Sequence, residues 1–556
     1  MPLVPHTLPP TPPVSEHHPP DVDTPLSSIV DIGGPVCREQ MPSGGATFKD
    51  MPEELCCHIL SFLSYNEIIR CASTCLTMYN TVNCSAELQY IIELGSQGLI
   101  EVHPRPSTVS FPECLRIIRN KANAWNTFRL NASDSSRFTT LYKSNSIVHG
   151  NILSFNPSIT FDAAGDAVDF KTYTTCSAQY WMGDDRFPLT YRYMDQLQDL
   201  EVIIRLLIDA DTDSLRFRIS FCTISTGEEH PLSHGSRVVN GRAADDCWAI
   251  NVSVAVLDNR IAVYVSRSNN KHVYWSLHVL NWKLEQCGQA DDLRAIDDGY
   301  ALLDIRFLAK EKLIALSRDG QIHLYDIEDP SKAPRLHAKF MMPVHGKHGT
   351  FDHPSIFHSA TSCAGLAAPD DHWIWITNPA DRVISVTWAS PWSVFIISAR
   401  IFFMDIPPTW FDVTSEDSHS VPWSSWGPQN SRFFPGKGFS SEGLGFFGIG
   451  GSRVIWAYPV AYGIDSMFHL HMTDFNPSVV ACNIDNVSSK PTTSPLRYWS
   501  DVQVTTYLPY VEAIRDHVCR ARGSLLNIVL DEEKIAIITK PPIKSEWRMQ
   551  VDIFEP

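Results

Sequence analysis

Leu313-Ile314-Ala315-Leu316-Ser317-Arg318-Asp319-Gly320-Gln321-Ile322-His323-Leu324-Tyr325-Asp326-Ile327 is the stretch that decides the fold of most of this chain. Two short apolar runs flank Asp-Gly, the dipeptide that favours the left-handed backbone of a tight hairpin turn. The second run alternates, with Ile322 and Leu324 set between polar neighbours, as expected of a strand covered on one face. A third apolar run, Leu302–Leu308, precedes the hairpin, so the unit is a three-strand meander. The same order recurs at Trp248–Val256, Ile261–Val265 and His272–Trp282, and again at Leu525–Leu530, Ile535–Thr539 and Trp547–Phe554. Further strands are expected near Val202–Ile208, Arg216–Ile224, Trp373–Thr377, Val394–Met404 and Arg453–Tyr458. Repeated small meanders predict a β-propeller-like domain, with six to eight blades.

Composition agrees. The chain has 556 residues, 44% apolar and 19% charged, with 15 Trp and 27 Phe. That is ample material for a core, and flat aromatic rings suit pleated surfaces. Forty-five basic against 62 acidic residues give a net charge of −17, a field that repels phosphate and disfavours nucleic-acid partners. The uncharged run Val383–Ala399 is broken by Ser390, Pro391 and Ser393 and reads as two strands around a turn rather than a membrane span. No basic start leads into an apolar run, so export is not expected, and the 14 Cys read as reduced thiols.

Toward the N-terminus the pattern changes twice. Residues 1–46 hold eleven prolines and read as a disordered tail. From Pro52 the period becomes helical. Leu55, Ile59, Phe62 and Leu63 share one stripe, with Leu60 beside it. Ser64 and Glu67 form a capping box ahead of a second amphipathic helix carrying Ile68, Ile69, Ala72, Cys75, Leu76 and Tyr79. On that helix Cys71 and Cys75 are expected to share a face as small buried side chains. Ser85 opens a third helix with Leu88, Ile91 and Ile92. A fourth follows from Phe111, with Leu115, Ile118, Ala122 and Trp125 at spacings of 4, 3, 4 and 3.

Three chemical patterns fall short of a site. Gly443-Leu444-Gly445-Phe446-Phe447-Gly448 matches a dinucleotide fingerprint. A strand follows it, however, where a phosphate-binding helix is needed, so these glycines read as a turn between blades. His345, His348, His353, His358 and Cys363 crowd one stretch without the spacing of a zinc site, and His469 and His471 share one strand face. Asp184-Asp185, Asp245-Asp246 and Asp370-Asp371 are adjacent pairs whose side chains diverge on extended backbone, which suits solvated turns better than catalysis.

Met51-Pro52-Glu53-Glu54-Leu55, Ile59-Leu60-Ser61-Phe62-Leu63, Ile68-Ile69-Arg70-Cys71 and Cys75 together resemble an F-box. Met51 stands where the motif usually opens with Leu, and Thr74-Cys75-Leu76-Thr77-Met78 replaces its usual Val-Cys-basic-x-Trp ending. The resemblance covers about 45 residues and implies an α+β multidomain chain. It would comprise a disordered tail (1–46), a small three-helix F-box (47–95), a helical linker (96–140) and a large all-β, propeller-like target-binding domain (141–556). It further implies a non-enzymatic, cofactor-free substrate adaptor of an SCF-type (Skp–cullin–F-box) ubiquitin ligase, in the cytoplasm and/or nucleus. Pro52, Leu55, Ile59, Leu60, Leu63, Ile68 and Ile69 would face the Skp adaptor or the F-box core, and the adaptor would bring the cullin. The partner set is completed by an unidentified target protein, with no nucleic acid and no membrane. The alternatives are a β-propeller interaction scaffold that engages no ligase, and an intracellular propeller hydrolase. On this plan the helical module and the β-domain are separable.

Overall fold

The computed structural model describes residues 51–101, 109–129 and 131–139. In the β-rich part it describes 178–181, 190–195, 198–208, 215–223, 225–240, 249–268, 273–284, 302–317, 319–328, 332–343, 355–358, 375–388, 393–412, 418–435, 446–461, 466–483, 486–496, 499–515, 519–521, 524–530, 535–540 and 548–555. The proline-rich stretch, the three Asp pairs, Gly443 to Gly445, and His345, His348, His353 and Cys363 lie outside them.

Five helices open the described chain: α1 Glu53–Leu60, α2 Tyr65–Ala72, α3 Leu76–Cys84, α4 Ala86–Ser96 and α5 Phe111–Asn126. The capping box forms as expected. The Glu67 carboxylate accepts from Ser64 N at 2.9 Å and from Ser64 Oγ at 2.7 Å, which satisfies a donor at the start of α2. The helix expected to run on through Tyr79 is two helices instead. Ser73 and Thr74 turn their hydroxyls onto the carbonyls of Arg70 and Cys71, both at 2.7 Å. Cys75 is then extended, with φ −159°, and starts α3. Hydroxyl side chains that bond back to the helix end compete with its continuation. The segment up to Ser96 therefore holds four helices where three were expected. Their shared core is Leu60, Ile68, Val82 and Leu88. Cys71 and Cys75 do not share a helix face, and Cys75 is exposed.

Among the described residues, six largely antiparallel sheets of four or more strands follow in chain order, beside two two-stranded pairings, Leu99–Glu101 with Trp375–Thr377 and Thr492–Leu496 with Trp499–Thr506. The first is Thr190–Asp195, Leu200–Ile208, Leu215–Thr223 and Arg237–Asn240. The second is Ala249–Leu257, Arg260–Ser268 and Val273–Asn281, with Ala178–Trp181 on its free side. The third is Leu302–Ala309, Lys312–Ser317, Gln321–Asp326 and Arg335–Met341, joined in parallel by Ser420–Val421. Its hairpin has the expected register, Leu313 opposite Tyr325 and Leu316 opposite Ile322, with Gly320 at φ +83° in the turn. The fourth is Ser355–His358, Val383–Trp388, Ser393–Ser398 and Ser431–Phe434. The expected strand Val394–Met404 stops at Ser398 and continues as the 3₁₀ turn Ala399–Phe402, drawn in by the bond from Ala399 N to Arg382 O at 2.9 Å. The fifth centres on Phe446–Gly450, Arg453–Ala461 and Ser466–Asp474.

The sixth sheet runs Ser524–Leu530, Ile535–Lys540 and Arg548–Glu555, and its outer strand is Asn131–Thr139. That strand comes from ahead of residue 141, where the β-domain was expected to begin, and it pairs with the chain's last strand. Alternation alone does not reveal it, because Asn131–Thr139 reads Asn-Ala-Ser-Asp-Ser-Ser-Arg-Phe-Thr and carries almost no apolar face.

Each sheet buries a face against the next. One cluster joins Val202, Ile204 and Phe217 to Val254 and Val263, and another joins Leu277 and Val279 to Ile305 and Leu313. Ile314, Leu324 and Phe340 meet Ile384, Phe395 and Phe433. Val383 and Ile396 meet Ile449 and Trp456, and Ile455 and Leu470 meet Ile528 and Ile537. Among the described residues no hydrophobic cluster joins the sixth sheet to the first.

The helices are built into these sheets. Trp125, at the end of α5, and Phe128 lie in the cluster between the fifth and sixth sheets, and the Arg453 guanidinium sits 4.9 Å over the Trp125 ring. Tyr90 and Leu94 of α4 pack with Cys114, Leu115 and Ile118 of α5 around Trp375. The strand Leu99–Glu101 pairs with Trp375–Thr377.

Candidate partner-docking surface

The helical module leaves an unusual amount of apolar side chain in water. Leu55 is 46% exposed, Ile59 39%, Phe62 77%, Ile69 46%, Leu76 73% and Tyr79 53%, all between residues 55 and 79. Scattered exposed apolar residues are ordinary, but a concentration of them in one small module marks an interaction surface. The local reason is geometric. α1 and α2 are each two turns long, so each can bury only one stripe. Leu60 of α1, 2% exposed, and Ile68 of α2, fully buried, point into the core. Leu55 and Ile59 of α1 and Ile69 of α2 then point out.

The seven residues expected to carry docking or the core divide on this basis. Leu60 and Ile68 are core. Leu55, Ile59 and Ile69 are exposed, Pro52 is exposed just ahead of α1, and Leu63 is half-buried against the core. Phe62, Leu76 and Tyr79 were missed as surface residues. Phe62 belonged to the stripe read from sequence, but it sits past the end of α1, edge-on to the His58 ring at 4.9 Å. Leu76 and Tyr79 were assigned to a helix that the structure breaks at Ser73 to Cys75, and the break redirects them. The signal was available in Ser73-Thr74, whose hydroxyls favour helix ends. α3 contains no charged residue, which suits a surface to be covered.

Of the chemical patterns elsewhere, Gly448 and His471 lie among the described residues with defined surroundings. Gly448 is not in a turn. It lies mid-strand, where a Cβ would come within 2.9 Å of Ile528 O and 3.1 Å of Leu530 N. The glycine lets the fifth and sixth sheets meet backbone to backbone. His471 Nδ1 is 2.9 Å from Glu512 Oε1, and its ring stands edge-on to Tyr458 at 4.6 Å. Burial, then the neighbouring Glu512 charge, pushes the Tyr458 phenol up to about 12. Among the described residues no group of three or more His, Cys, Asp or Glu side chains is placed to hold a metal. Among them, too, no helix is long and apolar enough to cross a membrane.

Comparison with known proteins bears on the helical module. Residues 48–88, which span α1 to α3 and the start of α4, match the family model described as F-box-like. No curated protein matches the chain. Among solved structures, the crystal structure of the Myceliophteria thermophila Cps50 (Swd1) β-propeller domain is similar at 9% identity. The alignment covers 68% of this chain and 100% of that one, with a TM-score of 0.23. On this match residues 48–88 form an F-box-like domain at the N-terminal side of a large, mostly β region.

Proposed function

We propose that this chain is the substrate-recognition adaptor of an SCF-type ubiquitin ligase. The F-box-like helices dock the Skp adaptor and, through it, the cullin, while the β-rich region, read as a propeller, holds the target protein. The observation that carries this reading is the apolar face of Leu55, Ile59 and Ile69 on a module that matches the F-box-like model. Phe62, Leu76 and Tyr79 extend the face. The serial packing of small antiparallel sheets supports the propeller reading. The chain then acts by proximity. Holding target and ligase on one scaffold raises the effective concentration of target lysines at the transfer site, and the transfer itself is catalysed elsewhere.

The test is co-purification of Skp adaptor and cullin with the full-length chain and with a Leu55→Asp/Ile59→Asp double variant. Loss of a central docking side chain costs about 2 kcal/mol, or roughly 30-fold in affinity. The double variant should lose both partners while its melting temperature stays within about 2 °C, since neither side chain is in the core. Adaptor recovery equal to that of the unsubstituted chain would sink the docking reading.

A further inference from the structure

The joint between the helical module and the sheets is made where two sheets meet. Past α4, Gln97 and Gly98 form a turn, with Gly98 at φ +64°. On one side Gly98 O accepts from Asn378 N at 2.7 Å, and Leu99–Glu101 pairs with Trp375–Thr377. Above this pairing the Tyr90 hydroxyl accepts from Trp375 Nε1 at 2.8 Å and donates to Glu101. These partners lead straight into the fourth sheet. Arg382 Nε bonds Thr377 O at 3.1 Å, and Val383 then starts the strand Val383–Trp388. On the other side Gln97 O accepts from Asn476 Nδ2 at 2.6 Å. Asn476 follows the fifth-sheet strand Ser466–Asp474, and its N–H is held by Asp474 Oδ1 at 2.9 Å. Between the two arms, Val383 N bonds Gly451 O across the seam of the sheets at 3.0 Å.

We infer that Tyr90 to Glu101 is a strap that holds the seam between the fourth and fifth sheets closed, so that the helical module is part of the β-region's integrity and not a detachable handle. Two consecutive carbonyls of one turn each take a donor from a different segment, Asn378 on the approach to the fourth sheet and Asn476 just past a strand of the fifth. The strap thus fixes the distance between Asn378 and Asn476, one on each side of the seam. Without it the seam retains its apolar cluster of Val383, Val394 and Ile396 against Ile449, Val454 and Trp456, but loses the cross-tie at its end. A chain deprived of these helices is then not a neutral target trap, because the region expected to hold the target is loosened with them.

Hydrogen exchange of the full-length chain, read by mass spectrometry on peptides covering 383–388 and 446–456, tests the strap. Gly98→Val is strained at positive φ, and any Cβ there would sit 3.1 Å from Asp381 Oδ2 and 3.2 Å from Asn476 Nδ2. Asn476→Ala removes the donor to Gln97 O, and with it the Oδ1 that caps Ser478 N, with little steric change, and decides the matter if Gly98→Val fails to fold. Both seam peptides should exchange about tenfold faster, the effect of one lost buried hydrogen bond on a local opening, while a peptide covering 260–268 in the second sheet is unchanged. Seam exchange equal to that of the unsubstituted chain in Asn476→Ala would overturn the inference. So would an acceleration equal in the seam and the second sheet.

Discussion

Asn476 donates its side-chain amide to the carbonyl of Gln97 at 2.6 Å, while its own Oδ1 accepts from Ser478 N at 2.9 Å. One buried side chain, 1% exposed, thus ties the end of α4 and caps the short helix Pro477–Cys482. Asn476→Ala strips the partner from both backbone groups, at a cost of about 1–3 kcal/mol. Asn476→Asp keeps the cap but replaces the donor with a charge facing the Gln97 carbonyl. Thermal unfolding should place the Asp variant no higher than the Ala variant. An Asp variant as stable as the unsubstituted chain would mean that the bond to Gln97 adds nothing.

Gly448 offers a second test, in the seam between the fifth and sixth sheets. A methyl group there meets Ile528 O at 2.9 Å and Ile528 C at 3.2 Å, and these are backbone atoms that cannot rotate away. Gly448→Ala should cost about 1–3 kcal/mol through overpacking. Gly227 is the contrast. It has φ +72° and open space around it, so Gly227→Ala should cost only about 1 kcal/mol, from backbone conformation alone. Denaturant midpoints of the two variants give the order directly.

Burial divides the F-box-like helices into residues that fold the module and residues that present it. Leu60→Ala and Ile68→Ala open cavities in a four-residue core and should each destabilise the module by about 2–5 kcal/mol. Phe62→Ala, Leu76→Ala and Tyr79→Ala remove side chains that are more than half exposed, and stability should move by less than about 0.5 kcal/mol. If these three belong to the docking face, their adaptor affinity falls without a change in melting. Circular dichroism at 222 nm and an adaptor-binding titration on the same preparations separate the two classes.

The contrast shows what was legible in the sequence. Ser64 and Glu67 announced the start of α2, and Asp319-Gly320 announced a hairpin, because capping and tight turns are decided by neighbours in the chain. The stripe Leu115, Ile118 and Trp125 announced α5 for the same reason. Asn131–Thr139 was hidden because its place in the sixth sheet depends on a partner more than 400 residues away and on no apolar pattern of its own. Gly448 was read as a turn residue because a glycine needed for close backbone approach looks, in one dimension, like a glycine needed for φ > 0. Which F-box residues face out was undetermined by periodicity, since each short helix carries apolar residues on two sides and only the packing chooses between them.

Asp326, at the end of the hairpin in the third sheet, should leave a pH signature. Burial raises its pKa, but Lys312 at 3.4 Å, His337 at 2.9 Å and Arg335 at 3.1 Å together outweigh that and hold it below the ordinary aspartate value. A carboxylate depressed in the folded state contributes stability that is present above its unfolded pKa and is lost as pH falls through the lower folded value. Asp326→Asn should therefore destabilise the chain at pH 7 and flatten part of the loss of stability below about pH 4. Unfolding midpoints at pH 7, 5 and 3 for both chains check this. An unchanged difference across the three would remove Asp326 from the account.

The strand Asn131–Thr139 sets where the β-region can be cut. It pairs from Asn131 opposite Glu555 to Thr139 opposite Arg548, so it closes the outer edge of the sixth sheet. A fragment beginning at residue 141 leaves Arg548–Glu555 as an unpaired edge, and an exposed edge strand is a template for pairing with another chain. The same cut removes Trp125 and Phe128 from the cluster they share with Ile455, Leu470 and Ile528, and large buried aromatics are worth about 3–5 kcal/mol each when truncated. A fragment beginning at residue 109 retains both the strand and α5. Expressed side by side, 109–556 should be the more soluble and the more resistant to proteolysis, and 141–556 should self-associate at lower concentration in sedimentation runs. Equal behaviour of the two fragments would show that the pairing of 131–139 with 548–555 adds no measurable stability, and the boundary at 141 would then serve.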